Sequence, residues 1–599
     1  MKYKIKFEPE NKEVEIKNNE TILEAALKNG IHINAQCQGK GVCGKCKIIL
    51  KEGILNEKER ALDLLTREER DNNCYIACLT YPESDLVVEV PKEARLSDHQ
   101  IVSSEVKIEK KGKVKKFAGV AVDIGTTTVS AYLIDLRTGE IVESASVFNK
   151  QITYGADVLS RIEYSKKEHG FEQLNKAIVE TINELIEKLF VPGNFESGNA
   201  DLKFLGKMVV SGNTTMTYFL IKRNPEEIQK NIQIDAFKQS YYLKAQKLGI
   251  FSGRTTDLYI TPGIGSYVGG DIIADIIATG IHKSEDTCLI IDVGTNGEIA
   301  LGNKDWLMVS STSAGPAFEG TSTKCGMRAT VGAIDKVEIQ RAETCATGIE
   351  TRRSFGDCDS SLHDFQIQKK GDVYEEFNVN YRVLNNTKPR GICGSGFIHL
   401  IPELFLNNII DYKGKFNKSV IEKSERIKIR TAKIIDDLGN ETCDEIPEFI
   451  IAYGNETLTG EDITITEKDI ENIILTKAAI YAGVVTMTRV GVSLDEVRKV
   501  YIAGGFGYYL NIEKSIILGL LPDIDKDKFE FIGNGSLKGA SMILNSDEKK
   551  KEAEDIAKNA TYFDFSTDAL GEFTEEYMKA MFVPHQDPDR FPGVEKLLG

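Results

Sequence analysis

Apolar and charged positions alternate over residues 3–7 and 13–17, the period of two half-buried strands, and the polar stretch between them predicts a hairpin. Thr21-Ile-Leu-Glu24 is a capping box opening a helix that ends near Gly30. A Cys- and Gly-rich run interrupts the pattern. It resumes with KCKIILKEG (45–53) as a strand, EKERALDLLT (57–66) at helical spacing, and DLVVEVP (85–91) as a last strand. This order predicts a small β-grasp unit over 1–92. Residues 93–118 lose the apolar period and include KKGKVKK (110–116), which predicts a linker with a short exposed strand and a solvated basic face. From 119 to 599 short apolar strands run into Gly-rich turns, an α/β pattern.

That long remainder contains a repeat. VAVDIGTTTVSAYLID (120–135) and LIIDVGTNGEIALG (289–302) both run apolar strand, Asp-x-Gly-Thr, second strand, and so predict duplicated subdomains over about 119–285 and 286–545, with a C-terminal segment 546–599. Such a strand-turn-strand presents backbone N–H groups and Thr hydroxyls to phosphate oxygens. The candidate phosphate cradle is Gly125, Thr126, Thr127, Gly294, Thr295 and Asn296. Asp123 and Asp292 are placed to hold hydrated Mg2+, which favours one or two carboxylates while keeping several waters. A third Gly-rich turn, VYIAGGFGYYL (500–510), puts Gly504, Gly505 and Gly507 after a strand, where backbone packs closely on a nucleoside. None of the three fits a Walker A or Rossmann pattern. At the C-terminus, DALGEFTEEYMKAMFVPH predicts an acidic amphipathic helix laid on this body.

Composition narrows the function classes. A chain of 599 residues exceeds one hydrophobic core. Its 75 Lys+Arg against 91 Asp+Glu give a net charge of -16, which argues against a nucleic-acid binder. With no signal-peptide core and no 18-residue uncharged apolar run, a cytoplasmic protein without membrane association is expected. In such a reduced compartment the eleven cysteines matter, because five fall between Cys37 and Cys78. CQGKGVCGKC supplies Cys37, Cys43 and Cys46 as C-x5-C-x2-C, with glycines that let backbone N–H groups approach sulfur. Cys74 and Cys78 compete for the fourth position. Zinc would accept the same thiolates, but zinc sites usually pair two C-x2-C units and this segment has one. The other six cysteines form no C-x2-C pair, so no second cluster is expected.

Ala77-Cys78-Leu-Thr-Tyr-Pro82 resembles the final ligand segment of plant-type and adrenodoxin-type ferredoxins, which selects Cys78 and implies a 2Fe-2S cluster on Cys37, Cys43, Cys46 and Cys78. The three Gly-rich turns resemble the phosphate-1, phosphate-2 and adenosine motifs of the superfamily of acetate and sugar kinases, heat-shock chaperones, hexokinases and actin. In combination the chain resembles the ATP-dependent reductive activators of corrinoid proteins. VVSGNTTMTYFL (209–220), TPGIGSYVGGDI (261–272), SSTSAGPAFEG (310–320), RGICGSGFIHLI (390–401), LGLLPD (518–523) and GNGSLKGA (533–540) look like that family's blocks. The resemblance implies an electron-transferring ATPase that returns the Co(II) corrinoid of a methyl-transfer protein to Co(I). It implies an upstream low-potential electron donor and is compatible with a homodimer. Asp123 and Asp292 would position magnesium and the attacking water, and SSTSAGPAFEG would line either the partner face or the subdomain cleft. Two alternatives stand beside it. An activator of a radical dehydratase or ring reductase shares the ATPase fold but resembles shorter chains without a ferredoxin domain. A redox-sensing kinase or binding module would show phosphoryl transfer or peptide binding without electron delivery.

Overall fold

The computed structural model describes residues 2–35, 39, 41, 44–58, 61, 64–65, 67–91, 94–95, 112–229, 236–253, 255–320, 323–341, 376–435, 441–504 and 510–598. The N-terminal hairpin forms as β1 (Lys2–Glu8) and β2 (Lys12–Lys17), followed by β3 (Lys47–Glu52), β4 (Leu55–Glu57), β5 (Cys74–Ile76), β6 (Thr80–Pro82) and β7 (Leu86–Glu89). Five of these make one sheet in the order β2-β1-β7-β3-β5, with β1 and β7 parallel. The helix Ile22–Lys28 covers it, and its start is the anticipated capping box: Thr21 accepts from the Glu24 N–H while the Glu24 side chain accepts from the Thr21 N–H. Ile5, Phe7, Ile48 and Val88 are fully buried between helix and sheet. Half of EKERALDLLT lies outside the described residues; its first residue, Glu57, ends β4 and pairs with Thr80, and a short α-helix follows the stretch at Arg67–Asp71.

Most of 93–118 lies outside the described residues. At its end Val114 is buried and bridged to Phe195, rather than exposed. The ferredoxin-like unit meets the next one through Leu27, whose carbonyl accepts from the Tyr154 hydroxyl at 3.5 Å, and through His32 Nε2, 3.4 Å from Glu180.

Two sheets then repeat one plan. The first contains β8 (Ala118–Ile124), β9 (Thr128–Asp135), β10 (Ile141–Phe148), β11 (Leu205–Gly212), β12 (Tyr241–Lys244) and β13 (Asp257–Ile260), in the order β10-β9-β8-β11-β13-β12. The second contains β14 (Cys288–Val293), β15 (Gly297–Gly302) and β16 (Leu307–Thr312), continued on the β14 side by the strands Lys499–Ala503 and Phe529–Gly533. In both, the first three strands form an antiparallel meander, and two parallel strands extend its first member. The repeated Asp-x-Gly-Thr segments are thus the same β-turn-β corner of two equivalent sheets. This is the duplication that the repeat implied. The helices Gly270–Thr279 and Gly535–Asn545 pack on each other between the halves, so chain from each half supports the other.

The helix Glu467–Gly491 runs through the core of the C-terminal half. Among the described residues, Glu467–Val490 is the one stretch of helix long and apolar enough to cross a membrane, and 83% of its most apolar window is buried inside the protein. The helix Leu570–Ala580 lies along it as the C-terminal pattern anticipated. There Glu576, fully buried, receives Arg489 at 2.6 Å and Arg590 at 2.9 Å.

Candidate functional site

The two corners face each other across a cleft cavity of 220 Å³, lined by Asp123, Gly125, Thr126 and Thr127 from one half and Asp292, Gly294, Thr295, Asn296 and Gly504 from the other. All the sequence-nominated phosphate-cradle and carboxylate residues therefore converge on one space. Each corner is closed by a short backbone bond, Gly125 N–H to Thr128 O and Gly294 N–H to Asn296 O, both 3.0 Å. A Cβ at Gly125 would sit 2.6 Å from the Thr128 carbonyl, so glycine is required for a turn this tight. The tips meet: Thr127 Oγ1 and Thr295 Oγ1 are 3.2 Å apart.

Gly504 has φ +117°, and a Cβ there would lie 2.3 Å from Val293 O and 3.2 Å from Asp292 Oδ1. The third Gly-rich turn therefore packs onto the second corner and borders the cavity. Gly505 and Gly507 lie outside the described residues.

The chemistry of the cleft is polarised. At one end Asp123, Asp271, Asp292 and Glu298 gather on the cavity wall, with Asp275 outside the lining but within their field. Asp271 begins the helix Gly270–Thr279, Asp275 lies one turn later, and Glu298 is paired across the β14–β15 hairpin with Asp292. Burial, then the field of Asp123, pushes the carboxyls of Asp271 and Asp292 up to about 7. Burial and the surrounding carboxylates drive Asp275 and Glu298 well above the ordinary range. Asp275 finds no hydrogen-bond donor for either oxygen among the described residues, and the Asp292 carboxyl is the first of the charges that raise it further. A concentration of buried negative charge this unbalanced suits a divalent cation. No three His, Cys, Asp or Glu side chains among the described residues are arranged to hold a metal ion by themselves. An ion held here would therefore keep water ligands and take others from phosphate, as Mg2+ does.

At the other end stand guanidinium groups. Arg161 is fully buried behind the first corner and donates to the carbonyls of Thr126 and Gly155 and to Gln151 Oε1. Arg328 reaches the cavity from the C-terminal half. Between the two ends Glu319, from SSTSAGPAFEG, accepts from both Thr127 Oγ1 and Thr295 Oγ1, the latter at 2.6 Å. That loop thus lines the subdomain cleft.

In the N-terminal unit Cys37 and Cys43 lie outside the described residues, but their companions are placed. The Ala77 N–H donates to Cys46 O at 2.8 Å, tying the Cys46 strand to the turn that carries Cys78. A Cβ on Gly39, within the thiol-bearing loop, would lie 3.8 Å from Cys78 Cβ. Gly39, Gly41 and Gly44 all have positive φ, backbone that glycine adopts at little cost. The segments that carry Cys46 and Cys78 are therefore tied together, with Gly39 beside Cys78. Cys74 is elsewhere. It pairs with Ile49 across the sheet, Glu69, Lys47 and Glu57 are the charged groups that act on it, and burial pushes its thiol up to about 11.

Comparison with known proteins gives the same division. Residues 5–83 match the 2Fe-2S iron-sulfur cluster binding domain, 118–284 the RACo middle region, and 286–595 the C-terminal domain of RACo, the ASKHA domain. A solved structure titled reductive activator for corrinoid,iron-sulfur protein is 34% identical, with a TM-score of 0.66 over 99% of this chain and 100% of that one. The chain belongs to the reductive activators of corrinoid proteins. The corrinoid activation enzyme RamQ of Eubacterium limosum is 28% identical, covering 94% of this chain and 96% of its own. The [Co(II) methylated amine-specific corrinoid protein] reductase of Methanosarcina barkeri is 23% identical, over 74% and 73% respectively.

Within this activator, sequence reasoning nominated both corners but missed Asp271, Asp275, Glu298, Glu319, Arg161 and Arg328. Two of the quoted blocks carried a usable signal. Gly-Gly-Asp in TPGIGSYVGGDI puts an acid on the first turn of a helix where backbone approaches closely. The Glu of SSTSAGPAFEG is an acid in a loop otherwise made of small and apolar residues. GNGSLKGA proves to be a support for the first corner: Asn534 donates to Asp123 Oδ2 at 2.9 Å and Ser536 to Oδ1 at 2.7 Å.

Proposed function

We propose that this chain reduces the Co(II) corrinoid of a methyl-transfer protein to Co(I), with the electron leaving a 2Fe-2S cluster in the N-terminal unit and ATP binding and hydrolysis in the cleft providing the drive. The observation that carries the reading is the convergence of both Asp-x-Gly-Thr corners on one polarised cavity, in a chain that also carries a ferredoxin-like unit. Cys37, Cys43, Cys46 and Cys78 would hold the cluster, which when bound supplies one low-potential electron. Gly125, Thr126, Thr127, Gly294, Thr295 and Asn296 cradle the phosphates, with Gly125 and Gly294, whose N–H groups close the two turns, allowing close approach, and Gly504, Gly505 and Gly507 border the nucleoside. Asp123 and Asp292 position Mg2+ and the attacking water. A cytoplasmic setting suits free thiolates, and the cluster is refilled by an upstream low-potential donor.

Energy scale supports coupling to a nucleotide. Plant-type clusters lie near about -400 mV. Each further 100 mV costs about 2.3 kcal/mol per electron. A ligand that turns a conformational equilibrium from about 1:99 to 99:1 supplies about 5.5 kcal/mol. The corners come from different halves, and both must grip one phosphate chain, so nucleotide favours the closed cleft over the open one. The closed shape is then the one that accepts the Co(II) partner and brings the cluster within reach.

The test is anaerobic. Reduced protein mixed with candidate Co(II) corrinoid proteins should develop the Co(I) absorption band with ATP and not without it. An ATP-independent band, or none with any candidate, would overturn the reading; phosphoryl transfer to a small acceptor instead would point to the sensor kinase.

A further inference from the structure

Arg328 belongs to the segment between the Glu319 loop and the strand Ala333–Arg341, all in the C-terminal half, yet its guanidinium crosses the cleft. Its carbon lies 4.0 Å from the centroid of the Phe148 ring, at the end of β10 in the other half. Stacking fixes the plane of the group and leaves its edges free. Nε and Nη2 are shut off from solvent and find no hydrogen-bond acceptor among the described residues. These two atoms form one edge of the guanidinium, the pair of parallel donors that matches two oxygens of a carboxylate or a phosphoryl group. Buried donors left without acceptors are costly, so an edge kept empty in a cavity marks the place of an absent anion.

The surroundings specify which anion. Glu319 is the carboxylate whose field acts on Arg328, but its oxygens are taken by Thr127 and Thr295. Glu319 therefore holds the two hydroxyls that phosphate oxygens would use, and stands in for negative charge at the point where the corners meet. Arg161, behind Thr126, adds a second positive charge whose donors all go to neutral acceptors or to sulfur. Asp123, Asp271, Asp292 and Glu298 line the same cavity. Both Asp-x-Gly-Thr turns and Gly504 line the same cavity as Arg328.

We propose that Arg328 is a catalytic residue for the terminal phosphoryl group of the nucleotide, its Nε and Nη2 edge donating to two non-bridging oxygens of the γ-phosphoryl. This deepens the nucleotide reading given above and rests on it. In hydrolysis the water oxygen bonds to the γ-phosphorus, and the bond to the bridging oxygen breaks with its electron pair going to ADP. One proton is released to solvent. Arg328 stays protonated throughout and neutralises charge that gathers on the equatorial oxygens. Because it comes from one half and stacks on the other, it makes cleft closure sensitive to a third phosphate rather than to nucleotide in general.

The experiment uses the full-length protein with its cluster, Mg2+, ADP and the non-hydrolysable triphosphate adenylyl imidodiphosphate. Wild type should bind the triphosphate. Arg328→Ala should keep ADP affinity within about twofold, weaken the triphosphate about tenfold or more, and lower ATP turnover by about 10³. Arg328→Lys, which restores a charge but not the two-donor edge, should stay well below wild type, and guanidinium ion added to Arg328→Ala should recover part of the turnover. If Arg328→Ala loses its fold along with the Phe148 stack, Arg328→Gln and Arg328→Met carry the same comparison. Equal weakening of ADP and triphosphate, or turnover within about threefold of wild type, would overturn the assignment. Wild type that binds neither nucleotide would instead overturn the nucleotide reading itself.

Discussion

The two Asp-x-Gly-Thr corners are the same backbone in opposite company. Across the first hairpin Asp123 is paired with Ser130, and its oxygens receive Asn534 and Ser536. Across the second, Asp292 is paired with Glu298 and faces the donor-free carboxyl of Asp275. Burial raises both aspartates, but two hydrogen bonds pull Asp123 back down, while the field of Asp123 adds to the rise at Asp292. The duplicated turn has thus been divided into a fixed corner, whose carboxylate is already satisfied, and an open one, whose carboxylate lacks a counter-charge until a cation comes. A repeat need not repeat its chemistry.

The sharpest way to break this division is to neutralise each acid in turn. Asp292→Asn should lower Mg2+-dependent ATP turnover by about 10²–10³, the cost of losing an aligned charge in a water-poor site. Asp123→Asn should cost only about tenfold, because an amide there can still accept from Asn534 while donating to the Ser536 hydroxyl. Steady-state hydrolysis by the two variants decides the point, and equal losses would mean that the corners share one role.

Stability should move the other way. In nucleotide-free protein with EDTA, Asp292→Asn removes one of several crowded carboxyls and supplies a donor to Asp275, so the melting temperature should rise by roughly 5 °C. Asp123→Asn should lower it instead. A site that is unstable when empty and active when filled is the expected trade between function and stability. A drop for both variants in thermal scans would show that Asp292 is as satisfied as Asp123.

How much of this was legible beforehand depended on range. The corners were visible because a tight turn after an apolar strand is written in consecutive residues: Asp, a spacer, Gly and Thr. The duplication followed from the repeat, and the Thr21–Glu24 cap from four adjacent positions. Asp275 and Arg328 were not visible, because nothing within their own segments separates them from other helix acids or loop charges, and the local signals at Asp271 and Glu319 do not say what those acids face. They acquire a role only when the helix Gly270–Thr279 and the Glu319 loop are folded against corners far along the chain. At the edge of EKERALDLLT, Glu57 is a strand residue for the same reason: its partner is the distant Thr80. Cys78 and Cys74 were separable by local resemblance, and the structure puts the first beside Gly39 and the second on a strand.

The smallest expected effect tests the support of the fixed corner. Ser536→Ala removes one donor from Asp123 and leaves Asn534 in place, both as its other donor and as the cap of the helix Gly535–Asn545. Substituting Asn534 would confound these two losses, whereas the Ser536 hydroxyl makes one bond, to Asp123 at 2.7 Å. A bond to a charged group is worth about 1.5–3 kcal/mol, and the remaining partner and local relaxation reduce that toward its lower limit. The melting temperature should fall by about 2–4 °C. The same change should leave ADP affinity nearly intact while slowing turnover only a few-fold, because Asp123 remains held from one side. The matched substitution Ser130→Ala, on the residue paired with Asp123 across the hairpin, should do less. If it does as much, the donors from the second half are not what fixes the first corner, and the difference between the two aspartates must come from the carboxylates around Asp292 alone.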